Sequence, residues 1–171
     1  MTPAYVTPRL SVFELTSDTG QREVSELLSR LPKLLTPAVT ENLPPHFHDI
    51  TSDTDAQAWY DRMMSESRLF IVKENDKDSI IGLLFASTEH PHNVHIGYLL
   101  GEHYWGQGLA SELLQGFIQH VTKTENWTTL VGGVDKHNKA SSRLLTKLGF
   151  VVRPAEDEPV VFYEYSLYSE K

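Results

Sequence analysis

The sequence contains no cysteine. Disulfides, iron–sulfur clusters, thiolate zinc sites and a cysteine nucleophile are excluded together. The absence also suits a reducing compartment. Basic charge is scarce: 15 Lys and Arg stand against 23 Asp and Glu, a formal net charge of −8. Generic nucleic-acid binding needs a basic face, so no nucleic acid is expected as a partner. An acidic surface tolerates a cationic partner such as an amine. No apolar run approaches the ~20 residues of a membrane-spanning helix, and no membrane contact is expected. The opening MTPAYVTPRL lacks the charged and apolar regions of a secretory signal, so the expected location is cytoplasmic. Repeats, low-complexity tracts and Gly/Ser linkers are missing too. A length of 171 residues with 40% hydrophobic content suits one domain over residues 1–171. Oligomeric state is left open between monomer and homodimer.

What is present alternates between strand and helix patterns. Arg9–Thr16 alternates as a strand. Val24, Leu27, Leu28 and Leu31 recur at helical spacing until Pro32, which is expected to end or kink the helix. Thr36–Asp49 reads as a loop rich in proline and histidine. A second helix is predicted over about Asp55–Ser65 behind a Ser52/Asp53/Thr54 cap, with Ala56, Trp59, Tyr60 and Met63 on one face. Arg68–Glu74 and Ser79–Thr88 read as a hairpin across the charged turn Asn75–Asp78, and Asn93–Leu100 as a further strand. After the glycine turn Gly106–Gly108, Leu109, Leu113, Leu114, Phe117, Ile118 and Val121 mark an amphipathic helix. Thr128–Val134 is strand-like. Gly132 and Gly133 inside it signal either a close backbone approach or a bulge. Asn138 opens a short helix with Leu144, Leu145 and Leu148, ending at Gly149. Phe150–Val152 and Val160–Leu167 are the last strands, parted by the acidic loop Ala155–Pro159. The order predicts a mixed sheet with helices packed on it.

Two stretches carry chemistry. In Asn93–Gln115, NVHIGYLLGEHYWGQGLASELLQ, a strand runs into a glycine turn that opens a helix. The first N–H groups of a helix have no intrahelical partner, and that end carries partial positive charge. Such a turn either wraps a phosphate with backbone donors or is a tight connection without a ligand. It lacks the Lys-Ser/Thr of a P-loop and the third glycine of a dinucleotide fingerprint. In Val134–Phe150, VDKHNKASSRLLTKLGF, Asn138 is a good helix cap and Ser141 sits in the first turn. The paired histidines His46/His48 and His90/His92 lack a third ligand, and no metal is expected.

In WGQGLASEL the chain resembles the acetyl-CoA loop of the GNAT superfamily of N-acetyltransferases: Arg or Gln, two variable residues, Gly, one variable, then Gly or Ala. Gly108 and Ala110 match the small positions, while Trp105 stands where Arg or Gln is usual. GYLLGEHYWGQGLASE followed by NKASSRLLTKLGF is similar to the branch of ribosomal-protein alanine N-acetyltransferases. The resemblance implies an α/β GNAT-like fold, a mixed, largely antiparallel sheet of about seven strands flanked by helices. It implies acetyl-CoA as donor. Its pyrophosphate would lie on Trp105, Gly106, Gln107, Gly108, Leu109, Ala110 and the helix start at Ser111. Its pantetheine would pair with a splayed strand at Leu99 and Leu100 and meet Asn138.

Acetyl transfer to an amine needs a neutral nucleophile, a donor for the oxyanion and help for the departing thiolate. Without cysteine, direct attack in a ternary complex is expected. The family's usual tyrosine acid, seven residues after the asparagine, is Leu145 here. The resemblance points to Ser141 in its place. His95, Glu102 or water is the base. The acceptor is a protein or peptide α-amine, with a polyamine or aminoglycoside as the rival within the enzyme class. A catalytically silent acetyl-CoA-binding module is the rival outside it. The Thr36–Asp49 loop and the acidic Glu156–Glu158 are expected to border the acceptor.

Overall fold

The computed structural model describes residues 1–154 and 158–167. Part of the predicted acidic loop, residues 155–157, lies outside the described residues. The strands are β1 (Tyr5–Val6), β2 (Leu10–Leu15), β3 (Arg68–Glu74), β4 (Ile80–Ser87), β5 (Val94–Leu100), β6 (Thr129–Asp135), β7 (Val151–Val152) and β8 (Val160–Ser166). The helices are α1 (Gln21–Leu34), α2 (Pro37–Thr40), α3 (Asp53–Glu66), α4 (Leu109–Thr124) and α5 (Lys139–Leu148). One sheet holds all eight strands in the order β1-β2-β3-β4-β5-β6-β8-β7. Its pairs are antiparallel except β5 with β6.

The central strands are buried on both faces, which is why they read as near-continuous apolar runs. Phe70 and Val72 of β3 point to one core with Leu113, Leu114 and Phe117 of α4. Leu69 and Ile71 point to the other, with Leu27 and Leu31 of α1 and Trp59 and Met63 of α3. The helices thus sandwich the sheet. At its edge, Arg68 ties three elements together, donating to Glu14 at 2.7 and 2.8 Å and to Glu125 at 2.8 Å.

The predicted strands and helices form, and the differences are local. The eighth strand is β1, two residues long and too short for periodicity to register. Pro32 does not end its helix: α1 continues to Leu34. In the last turn a proline forfeits one backbone bond, and the buried Leu27, Leu31 and Leu34 outweigh that. The predicted loop Thr36–Asp49 is partly helical, with α2 starting at Pro37 and a 3₁₀ turn at Pro45. Proline suits a first helical position, where its missing N–H costs nothing. Ser52 caps α3 in a reciprocal box with Asp55. Gly132 and Gly133 lie inside an unbroken register with β8, so they mark no bulge.

Candidate active site

The parallel pair β5 and β6 begins in register and then opens. Val94, His95 and Ile96 pair with Leu130, Val131 and Gly132, and the pairing stops there. β5 continues to Leu100 against β4 alone, while β6 continues to Asp135 against β8. The result is a wedge whose floor is the Ile96/Gly132 pair. In an antiparallel ladder, alternate residues turn their backbone groups to opposite neighbours. Gly101 N–H donates to Ile81 O at 2.8 Å. That parity turns the Leu99 backbone to β4 and leaves Tyr98 and Leu100 facing the wedge. Of the two leucines singled out by sequence, only Leu100 therefore presents its amide to the gap.

α4 starts at the wedge mouth. Gly106 and Gly108 adopt positive φ, +72° and +79°. No side chain caps α4 at Gly108, so the first N–H groups of the helix are left to a ligand or solvent. Trp105 folds back and donates its indole N–H to Leu100 O at 2.8 Å, joining the turn to the end of β5. Gln107 faces away: its amide donates to His103 O at 2.8 Å, and its own carbonyl accepts from Arg9 Nη1 at 2.9 Å. Arg9 also donates from Nε to Glu112 Oε1 at 2.8 Å and from its backbone N–H to Oε2 at 2.8 Å. Burial works against the Glu112 carboxylate, but the bonds from Thr7 and Arg9 outweigh it and hold its pKa below the usual range. The turn between β1 and β2 thereby braces the glycine turn.

α5 closes the other side. Asn138 caps it by accepting the Ser141 N–H at 3.3 Å on Oδ1. Its Nδ2 then faces Ser141 Oγ at 3.2 Å. Tyr98 Oη reaches the same Oγ from β5 at 3.1 Å. The neighbouring Ser142 is engaged elsewhere, with Tyr163 Oη. Leu145 is 1% exposed and packs onto Gly132, where a β-carbon would stand 2.9 Å from Leu145 Cδ1. The position seven residues after Asn138 thus seals the wedge floor with hydrocarbon. The phenol of the site comes from β5 instead.

The wedge and the segment after α2 enclose a cleft of about 720 Å³ lined by Ser141, Asn138, Tyr98, Leu100, the turn from Trp105 to Ser111 apart from Gln107, and Glu41. Phe85 lies across the β5 backbone on the α1/α3 side. A β-carbon on Gly97 would meet its ring at 2.1 Å. His95 points to that side too, below the wedge floor, and does not line the cleft. Burial, and then the nearby Arg153 guanidinium, push its pKa below the ordinary value. Glu102 is exposed and accepts from Thr36 Oγ1. Among the described residues no group of three His, Cys, Asp or Glu side chains could hold a metal ion, and no helix is long and apolar enough to cross a membrane. His48 holds Leu43 O at 2.9 Å, and His92 contacts Thr128 Oγ1 at 2.8 Å.

Tyr98 and Arg9 are the site residues that sequence reasoning missed, whereas Glu41 comes from the Thr36–Asp49 loop expected to border the acceptor. Strand parity held the signal for Tyr98, three residues from His95 and so on the opposite face.

Known proteins carry the same architecture. The acetyltransferase (GNAT) domain family matches residues 26–151. The chain is 31% identical over 122 residues to the uncharacterized N-acetyltransferase p20 of Bacillus licheniformis, covering 67% of each chain. It is 34% identical over 78 residues to the [ribosomal protein uS5]-alanine N-acetyltransferase of Escherichia coli, covering 44% of this chain and 40% of that one. A solved ribosomal L7/L12 alpha-N-protein acetyltransferase in complex with coenzyme A superposes with a TM-score of 0.76 at 18% identity, covering 96% of this chain and 97% of that one. That likeness shows a shared fold. With the family domain spanning most of the sequence and the sheet opening beside an uncapped helix, the chain belongs to the GNAT acetyltransferase family.

Proposed function

We propose that residues 1–171 form one acetyltransferase domain that moves the acetyl group of acetyl-CoA to a protein or peptide α-amine. The observation that carries this reading is the open wedge between β5 and β6 with the uncapped start of α4 at its mouth. Pyrophosphate suits that mouth, because free N–H groups and the helix dipole converge there. The backbone of Tyr98 and Leu100 offers strand-like pairing to the pantetheine amides. Similarity to the alanine N-acetyltransferase supports a protein N-terminus as acceptor, and Glu41 on the cleft wall adds attraction for a cation.

The reaction is a direct displacement. The amine lone pair forms the C–N bond while a wedge-facing backbone N–H of β5 steadies the oxyanion. The C–S electrons then leave on sulfur, and Ser141 donates its hydrogen to the growing negative charge. The proton lost by nitrogen leaves by way of solvent, with His95, Glu102 or water itself as the base, and the thiolate is protonated on release.

A thiol-release assay tests the acceptor. Peptides with a free α-amine are expected to turn over, and the same peptides blocked at the N-terminus are not. Turnover confined to a polyamine or aminoglycoside would replace the peptide by a small amine. Binding of acetyl-CoA without turnover of any amine would make the protein a binding module.

The pH dependence tests His95. The base must be neutral to take a proton, so kcat/KM rises as pH climbs through its pKa. The ordinary imidazole value is about 6.5 and that of an α-amine about 8. With His95 shifted downward, two rising limbs are expected, one below ~6.5 and one near ~8. His95→Gln should remove the lower limb. An unchanged profile would assign the proton to water or Glu102.

A further inference from the structure

We propose that Tyr98 is a positioning residue that aims the Ser141 hydroxyl hydrogen into the cleft. The inference rests on the role proposed for Ser141. A serine hydroxyl has one hydrogen to give and two lone pairs to receive. Asn138 fills the first lone pair. Its Oδ1 is committed to the Ser141 N–H at 3.3 Å, so the group facing Ser141 Oγ at 3.2 Å is Nδ2, a donor only. Tyr98 fills the second from 3.1 Å. A phenol is more acidic than an alkyl alcohol and is the stronger donor of the two, so Tyr98 gives and Ser141 receives. Burial raises the Tyr98 pKa, which keeps the phenol protonated at neutral pH.

With both lone pairs engaged by donors, the remaining hydrogen of Ser141 has no acceptor among these partners. It is left for a sulfur at the head of the wedge. Donation into the oxygen also polarises the outgoing O–H, because hydrogen bonds in a chain reinforce one another. β5 can deliver this phenol because its parity sends Tyr98 to the α5 side, where it packs against the core cluster that contains Leu145.

Tyr98→Phe and Ser141→Ala, singly and together, test the arrangement by kcat, acetyl-CoA Kd and melting temperature. Tyr98→Phe is expected to lower kcat by about 3- to 10-fold, the factor carried by one ordinary hydrogen bond, with Kd unchanged. In the Ser141→Ala background it should lower kcat no further, since the group it orients is gone. An equal loss in both backgrounds, or no loss in either, overturns the positioning role while leaving Ser141 its own. A normal kcat for Ser141→Ala removes both. Should Tyr98→Phe melt too low to assay, Tyr98→3-fluorotyrosine carries the test at a pH where the phenol stays protonated. A stronger donor should raise kcat, and an unchanged or lower kcat overturns the proposal.

Discussion

Ser141→Ala is expected to lower kcat by about 10²–10³-fold, the loss typical of one preorganised donor to developing charge. Acetyl-CoA Kd should stay within a few-fold. The split follows from timing. In the ground state the thioester sulfur is nearly neutral and gains little from a hydroxyl. Negative charge grows there only as the C–S bond breaks, so the interaction belongs to the transition state and appears in kcat. Stability should fall only modestly, by about 1–2 kcal/mol: alanine is at least as good a helix former as serine, but Tyr98 Oη and Asn138 Nδ2 lose the oxygen they donate to. The Asn138 cap survives, since it uses the Ser141 backbone N–H and not the hydroxyl. A variant that binds acetyl-CoA normally, stays folded and turns over normally in a chemistry-limited assay would take Ser141 out of the mechanism.

The parts of this site that follow local rules could be read from sequence. Asn138 caps α5 because asparagine accepts the N–H of the third residue on, and the glycines of the turn after β5 lie where positive φ is required. Periodicity found the core strands and the long helices for the same reason. What escaped were relations set by the assembled sheet. β5 reads VHIGYLL, where parity sets Tyr98 opposite His95 but nothing local shows which of the two faces meets α5. Its partner lies 43 positions away on α5. Arg9 is farther still, 98 positions from the Gln107 carbonyl it holds, and only the packing of the turn between β1 and β2 against the start of α4 brings them together. The wedge itself was inferred from resemblance, since no residue pattern announces where two parallel strands stop pairing. Gly132 shows how one signal served two readings: the structure turns it into room for Leu145 and not into a bulge.

Gly108→Val is expected to weaken acetyl-CoA by about 10²-fold or more, while costing only a few degrees of melting temperature. Gly108 holds φ at +79°, and a β-carbon there would sit 3.4 Å from Arg9 Nη2. A left-handed conformation costs an ordinary residue about 1–2 kcal/mol, and a β-branched one is a true outlier there. Valine relieves that strain most readily by turning the peptide back toward negative φ. The move rotates the first N–H groups of α4 away from a common point and pulls the Gln107 carbonyl off Arg9. Losing two charge-assisted bonds to phosphate, at about 1.5–3 kcal/mol each, accounts for the expected loss of affinity. The hydrophobic face of α4 lies in the core cluster with Leu113, Leu114 and Phe117, remote from the turn, so the fold tolerates the change. Gly106→Ala is the matched control. It shares the positive φ, but no atom stands within 4 Å of its added carbon and alanine has no β-branch, so it bears less backbone strain and should weaken binding less. Calorimetry on the two variants ranks them. Wild-type affinity in a folded Gly108→Val protein would show that phosphate binds elsewhere than on this turn.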